Sequence, residues 1–262
     1  MDNTNISRDK SRFLEIVASN LSIISEVENI IKILVLTFFS TSIFIPLLNI
    51  LGMPLWLSME KGMFEVYMNT NSKDEYGKAL KEIPISDLLK VYFPLFLGFG
   101  IGQAILYMLF LIPIFLIYAK LVSIGLFIFI ALGLLYVILT VRAIHYLFNF
   151  NCEGHTVKDC ILKGFKSNFN FSYTIEHWTP FRTLKILFVV FLILLIPIYL
   201  ISLLGLLYGV IMFYISLIGK VEILRLALAV LLAVSHIIVI AMIITFFIHI
   251  TLYYIATRPT SK

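Results

Sequence analysis

Charged residues are scarce in this sequence, and their scarcity argues against a soluble domain. Asp, Glu, Lys and Arg together make up 13% of the 262 residues, against about 25% in soluble domains. Hydrophobic residues make up 61%, so too few polar side chains remain to cover a soluble fold of this length. Lipid must therefore replace water around much of the molecule, and the sequence predicts an integral membrane protein.

Catalytic and metal-binding patterns are lacking as well. We find no Ser–His–Asp set, paired carboxylates or metalloprotease motif, so we do not predict an enzyme and we predict no cofactor. The two cysteines, Cys152 and Cys160, lie in one charged loop with His155 and Asp159. This group lacks the second ligand pair that a structural zinc site needs. The sequence therefore predicts neither a disulfide framework nor a metal site.

The longest apolar run extends from Val91 to Val141, and Lys120 is its only charged residue. A bilayer core is about 30 Å thick and takes about 20 helical residues, so the run is long enough for two crossings. It must be helical because backbone polar groups cannot remain unpaired in lipid. We expect the hairpin to turn between Ile112-Pro113 and Lys120, because proline strains a helix and lysine can reach the interface.

The same reasoning along the chain predicts an all-α fold, a polytopic membrane helix bundle. A cytoplasmic or interfacial segment at 1–32 precedes a single membrane domain at 33–257 and a cytoplasmic tail at 258–262. The domain holds about six membrane elements in three hairpins: residues 33–51, a short element at 55–68, and 91–112, 121–148, 186–204 and 226–255. Gly52-Met53-Pro54 is the predicted turn after the first element, and residues 205–222 are predicted to be re-entrant or interfacial.

Two amphipathic helices are expected outside the spans. The first begins near Phe13 and has its apolar stripe at Phe13, Val17, Leu21, Ile24 and Ile31. It either lies in the membrane surface or packs on the cytoplasmic loops. The second begins after Thr156, a residue suited to cap a helix, and its predicted apolar side is Val157, Ile161, Leu162 and Phe165.

The distribution of Lys and Arg predicts the orientation of the chain. Four basic residues precede residue 33, five lie in 61–90 and six in 142–185. If residues 55–68 cross the membrane, all three basic segments and both termini lie on the cytoplasmic side, as the positive-inside rule favours. Only Lys120, Lys220 and Arg225 then lie outside. We therefore predict a cytoplasmic (inner) membrane protein with both termini in the cytoplasm.

Five polar residues near the membrane are the candidate binding residues. Glu60, Lys61 and Glu65 fall in the short second element, where Lys61 and Glu65 can pair at i,i+4 spacing. Ionisable groups at membrane depth often mark a pathway or a relay, although at the interface they would simply be hydrated. Arg142 and His145 suit a lipid phosphate, or they serve as an ordinary positive-inside anchor.

His236 and His249 lie in the last span at spacing that turns them broadly the same way but about 20 Å apart. We expect each to hydrogen-bond to a neighbouring helix, with a proton relay as the alternative. Gly98, Gly100 and Gly102 give the first arm of the central hairpin a closely approachable face, for which helix packing is the expected role.

Three short motifs in this order are similar to a bacterial membrane family. They are Pro54-Leu55 with Gly62, Leu111-Ile112-Pro113-Ile114, and the loop helix from Val157 to Lys166. The chain resembles the membrane domain that accompanies some glycerophosphodiester phosphodiesterases, and its uncharacterised stand-alone relatives, over residues 30–255. This resemblance implies a membrane domain, and it carries over no catalytic residue and no assigned chemistry.

Two functions are compatible with these features. The first is a transport-related or envelope accessory component, permease-like and without a catalytic site, whose proline-interrupted spans line a cavity. The second is a lipid-processing membrane enzyme that uses Glu60 or Glu65 with Arg142 on a phospholipid headgroup. The expected partners are membrane lipids, and other membrane subunits or a second copy of the chain. Nucleic acid is not an expected partner, because no basic run is long enough.

Overall fold

In the computed structural model, residues 13–24, 26–42, 46–70, 73–170, 180–217 and 222–257 are described, and every regular element among them is an α-helix. The predicted tail at 258–262 and residues 1–12 lie outside them. In chain order the helices are α1 Phe13–Ile24, α2 Val27–Ser42, α3 Pro46–Asn69, α4 Lys73–Glu82, α5 Ile85–Lys90, α6 Phe93–Met108, α7 Leu111–Tyr118, α8 Val122–Phe148, α9 Val157–Ser167, α10 Pro180–Leu217 and α11 Glu222–Ala256.

Four helical stretches of the described chain are long and apolar enough to cross a membrane. They are Phe93–Tyr118, Val122–Phe148, Lys185–Tyr214 and Leu226–Ala256, with 26, 27, 30 and 31 residues. At about 1.5 Å per residue, each exceeds the thickness of a bilayer core. The all-helical fold predicted from the sequence is confirmed for the described residues, and the four apolar stretches are compatible with the predicted membrane class.

The central hairpin turns at Lys120, as predicted, but its first arm does not end at Pro113. α6 ends at Met108, and α7 restarts at Leu111 and continues to Tyr118. Pro113 lies in the first turn of α7, where its missing N–H is tolerated. Lys120 follows with φ of 68°, a left-handed conformation that reverses the chain. The proline therefore breaks the arm between α6 and α7, and the lysine makes the turn.

The predicted boundaries of the first two membrane elements are wrong. The segment Gly52-Met53-Pro54 does not form a turn, because α3 runs through Pro54 from Pro46 to Asn69. Pro54 is buried, and its Cγ lies 3.4 Å from where a Cβ on Gly100 of α6 would be. Packing against α6 thus keeps the proline inside a helix. Neither α2 nor α3 is among the four long apolar stretches.

The predicted break after Leu204 is also wrong. α10 continues from Pro180 to Leu217, with Pro197 inside it and Gly205 and Gly209 along its exposed side. A helix of this length can contain a proline and two glycines because the flanking turns fix their conformation. Among the described residues, 205–217 are therefore helical rather than re-entrant. The last predicted span, 226–255, lies entirely within the helix α11.

The hairpins are packed at one end and bare at the other. At the packed end, the rings of Phe96 and Phe148 lie 6.0 Å apart, and the Asn149 side chain donates to the Ala256 carbonyl at 3.1 Å. Towards the other end, large apolar side chains are exposed: Tyr118 is 87%, Phe127 74% and Tyr199 71% accessible. Exposed apolar surface of this extent is typical of a lipid-facing surface.

α9 lies against α6 through glycines rather than through its predicted apolar side. Thr156 caps α9 as predicted, accepting a hydrogen bond from the Asp159 amide at 3.2 Å. The buried side of the helix is Cys160, Gly164 and Ser167. The expected packing role of Gly98 and Gly102 is confirmed, because both face α9 at backbone distance. Larger side chains at this contact would hold the two backbones apart.

The first amphipathic helix, α1, packs on α4. A Cβ on Gly77 of α4 would lie 2.3 Å from the Ser22 carbonyl oxygen, so the two backbones nearly touch. The buried side of α1 is Ile16, Ser19, Asn20 and Ile23, whereas Leu21 of the predicted stripe is 53% exposed. Two polar residues on that side are the reason that the apolar pattern misplaced it.

Candidate functional site

The packed end of the bundle contains a buried polar cluster, which we define as Asn20, Trp56, Glu60 and His249. Nδ1 of His249 is hydrogen-bonded to Oε2 of Glu60, and Nε1 of Trp56 donates to Oε1 at 3.1 Å. Nε2 of His249 lies 2.6 Å from Oδ1 of Asn20. The cluster therefore joins three helices that are distant in sequence: α1, α3 and α11.

Glu60 and His249 are almost completely removed from solvent. Their side chains are 0% and 3% exposed, and Asn20 is 0% exposed. A buried ionisable group is stable only when it is paired and hydrogen-bonded. Both carboxylate oxygens and both ring nitrogens have a partner here, so this requirement is met.

Local sequence explains how the cluster forms. Trp56 and Glu60 are four residues apart on α3, so they lie on one face of that helix. His249 lies two turns before the end of α11, and its ring is 4.1 Å from that of Tyr253. The Tyr253 hydroxyl in turn lies 2.9 Å from that of Tyr76 on α4. The polar interior thus continues from the cluster to a pair of buried tyrosines.

A second polar group lies on the next face of α3. Lys61 pairs with Glu65, as the i,i+4 spacing predicted, and also donates to the main-chain oxygen of Phe148 at the end of α8. Lys61 is 2% exposed and Glu65 36% exposed. The ammonium lies 5.1 Å from the ring centroid of Tyr92. A cation beside the C-terminal carbonyl groups of a helix is stabilising, so the contact of Lys61 with Phe148 holds the end of α8 against α3.

Arg142 and His145 are buried near the end of α8, at 9% and 1% exposure. The partners of Glu60 within the described chain are Trp56 and His249.

Sequence reasoning missed Asn20 and Trp56, although it anticipated that His249 bonds to a neighbouring helix. An asparagine on the face of a helix that also holds Ile16 and Ile23 was the available signal, because a buried amide needs a partner. His236 differs from His249: its ring stacks on Tyr208 of α10 at 4.8 Å. The residues that sequence predicted together, Glu60 and Lys61, belong to two separate groups.

The two cysteines are buried, and they give a testable prediction. Cys152 is 6% and Cys160 3% exposed, and neither forms a disulfide. Burial, with a hydrogen bond to Cys160, raises the pKa of the Cys152 thiol to about 12.

Since the thiolate is the reactive form, we expect folded protein to react slowly with an aromatic disulfide reagent, and both thiols to react after unfolding in dodecyl sulfate. An added Glu153→Cys, at an exposed position, should react at once; rapid reaction of the parent would contradict the burial.

Comparisons with known proteins assign no family to this chain. The sequence matches no protein-family model, and no curated protein and no solved structure is significantly similar to it. The resemblance to the membrane domain of glycerophosphodiester phosphodiesterases therefore stays a prediction.

Proposed function

We propose that this protein is a permease-like component of the cytoplasmic membrane in which Glu60 and His249 reversibly bind a proton. The observation that supports the proposal is their direct hydrogen bond in the interior of the packed end, at 0% and 3% side-chain exposure. Ionisable residues inside membrane proteins are costly, and they recur in proton relays and transport pathways. Two neutral polar side chains could hydrogen-bond the same helices to one another, so helix packing alone would not need a titratable pair.

The chemistry of the pair suits reversible proton binding. An imidazole and a carboxylate in contact share one proton as an ion pair or as a neutral pair, depending on where the proton resides. The second ring nitrogen of His249 contacts Asn20, whose amide is held by the Ile16 carbonyl at 2.8 Å. A change of protonation at His249 would therefore be felt on α1, α3 and α11 together. Such a joint change is what a proton-linked movement of helices requires.

The test is proton uptake by reconstituted protein. Liposomes that contain the protein and an internal pH dye should acidify faster than empty liposomes when a small-molecule extract of the source cells and an inward proton gradient are supplied. Glu60→Gln should abolish the difference because it removes the titratable group. Glu28→Gln is the matched control, since Glu28 pairs with Lys81 at the exposed surface at 3.2 Å. Equal acidification by the parent protein, Glu60→Gln and empty liposomes would refute the proposal.

We also propose that α2 and α3 form a third membrane hairpin, which gives six elements with both termini in the cytoplasm. α3 has 24 residues, about 36 Å of helix, and α2 packs along it. The distribution of basic residues supports this orientation.

Thiol labelling in intact cells tests the orientation. A cysteine at Lys120 should react with a membrane-impermeant reagent, and one at Glu153 should react only after the membrane is permeabilised. Both positions are exposed in the structure, so lack of access would reflect the membrane. Labelling of Glu153→Cys from outside would reverse the proposed orientation.

A further inference from the structure

The side of α9 that faces away from α6 is apolar and exposed. Val157 is 65% and Leu162 42% exposed, and Ile101 of α6 beside them is 47% exposed. With Lys158, Ile161 and Phe165 these residues line a trough of about 510 Å³. No described segment fills this trough, and it is continuous with the apolar surface of α6.

A cationic recess lies on the other side of Phe165. It has a volume of about 450 Å³ and is lined by Tyr146, Lys163, Phe165, Lys166, Ser167, Phe169 and Asn170. Lys163 and Lys166 are exposed, and the Lys163 ammonium lies 5.7 Å from the ring centroid of Phe150. Phe165 lines both spaces, so the apolar trough and the cationic recess are neighbours along one helix.

The position of α9 relative to the spans places both spaces at the membrane interface. α9 touches α6 between Leu95 and Gly102, the first three turns of a helix that begins at Phe93. Ten residues of helix span about 15 Å, so α9 lies near the end of the bundle, where headgroups and the first carbons of acyl chains are found. An apolar trough at this depth would be filled by lipid.

The lysine side chains around the two spaces favour a lipid with an anionic headgroup. Lys158, Lys163 and Lys166 surround the two spaces, whereas the acidic residue of α9, Asp159, is hydrogen-bonded to the Thr156 hydroxyl at 2.7 Å. That hydrogen bond lowers the pKa of Asp159, which keeps it ionised at the far end of the helix from the recess. The exposed ammonium groups of Lys163 and Lys166, which line the recess with Tyr146, suit the phosphate of an anionic headgroup.

We propose that α9 and the end of α8 form a binding site for one anionic glycerophospholipid. The phosphate is held by Lys163 and Lys166 in the recess, and an acyl chain lies in the trough between Ile101 and Leu162. This site is separate from the Glu60–His249 pair, so it can hold whether or not the proposed proton function does.

Native mass spectrometry of the full chain, released from nanodiscs of phosphatidylcholine with phosphatidylglycerol, tests the proposal. We expect the parent to retain one phosphatidylglycerol in preference to phosphatidylcholine. Because each lysine near an anionic surface contributes about fivefold, Lys163→Gln with Lys166→Gln should weaken the preference by roughly 30-fold. Lys78→Gln with Lys90→Gln, an equal loss of charge at two other exposed lysines, should leave it unchanged.

Three results would overturn the proposal. Equal retention by the parent and the Lys163/Lys166 variant would show that the recess does not bind the headgroup. Equal loss in the Lys78/Lys90 variant would show a diffuse charge effect. Displacement of the lipid by soluble glycerol phosphate would show a site for free phosphate esters.

Ile101→Trp, which fills the trough and leaves the lysines in place, should also reduce retention. Melting temperatures equal to that of the parent would confirm that all variants are folded.

Discussion

We expect Glu60→Leu to lower the melting temperature of the protein in detergent by about 10 °C. The substitution removes both carboxylate oxygens of Glu60, so Nδ1 of His249 and Nε1 of Trp56 lose their partner inside the protein. Breaking a buried pair from one side costs ~3–5 kcal/mol, and each ~1 kcal/mol shifts the melting temperature by about 2–4 °C in a chain of this size. Thermal unfolding followed by intrinsic fluorescence measures the shift.

A control variant and a double variant test whether the loss of stability comes from the contact between Glu60 and His249. Glu28→Gln breaks an exposed pair with Lys81 and should leave the melting temperature unchanged. Glu60→Leu combined with His249→Leu should be less destabilised than the sum of the single variants, because the double change leaves one fewer polar group unpaired. Additive losses would mean that Glu60 and His249 do not interact in solution.

Sequence reasoning succeeded where the physical signal was local and strong. The four long apolar helices follow from residue content alone, because hydrocarbon demands about 20 consecutive apolar residues and helical hydrogen bonding. Thr156 was recognised as a cap, and Lys120 as a turn, from single residues in context. Each of these features depends on neighbours within one or two helical turns.

Boundaries set by tertiary contacts were predicted wrongly. Pro54 lies inside α3 because it packs beside Gly100 of α6, a contact that the sequence around residue 54 does not reveal. Pro197 and Gly205 likewise lie within the continuous helix α10. Pro54 is held within its helix by packing, whereas Gly205 lies on an exposed side of α10, so a single proline or glycine does not by itself end a helix.

The ionisable residues of the candidate site could be predicted from the sequence, but the residues they contact could not. Glu60 and Lys61 were identified because ionisable residues in an apolar segment are costly. Their separation into two groups was not predictable, since it depends on His249 and Phe148, residues 189 and 87 positions away. Composition identifies which groups need partners, and only the fold identifies the partners.

The Cβ that Gly98→Ala adds should separate α6 from α9 and lower the melting temperature by several degrees. At this glycine it would lie 1.9 Å from the Ile161 carbonyl oxygen and 2.7 Å from its carbon. These are backbone atoms, so no side-chain rotation relieves the overlap and one helix has to move. Overpacking of this kind typically costs ~1–3 kcal/mol, which here outweighs the gain of up to ~1 kcal/mol that alanine gives within a helix. Differential scanning fluorimetry of the purified variants measures the difference.

Gly164→Ala tests the same contact from the other side, and Gly133→Ala is the matched control. The Cβ of an alanine at 164 would lie 1.8 Å from the Leu95 carbonyl oxygen, whereas nothing lies within 4 Å of one at 133. We therefore expect Gly164→Ala to resemble Gly98→Ala, and Gly133→Ala to match or exceed the parent in stability because only the propensity gain remains. Both sensitive variants should also expose Cys160, which is 3% accessible on the buried side of α9, to thiol reagents. If all three alanine variants melt with the parent and Cys160 stays protected, α9 does not pack against α6 at backbone distance.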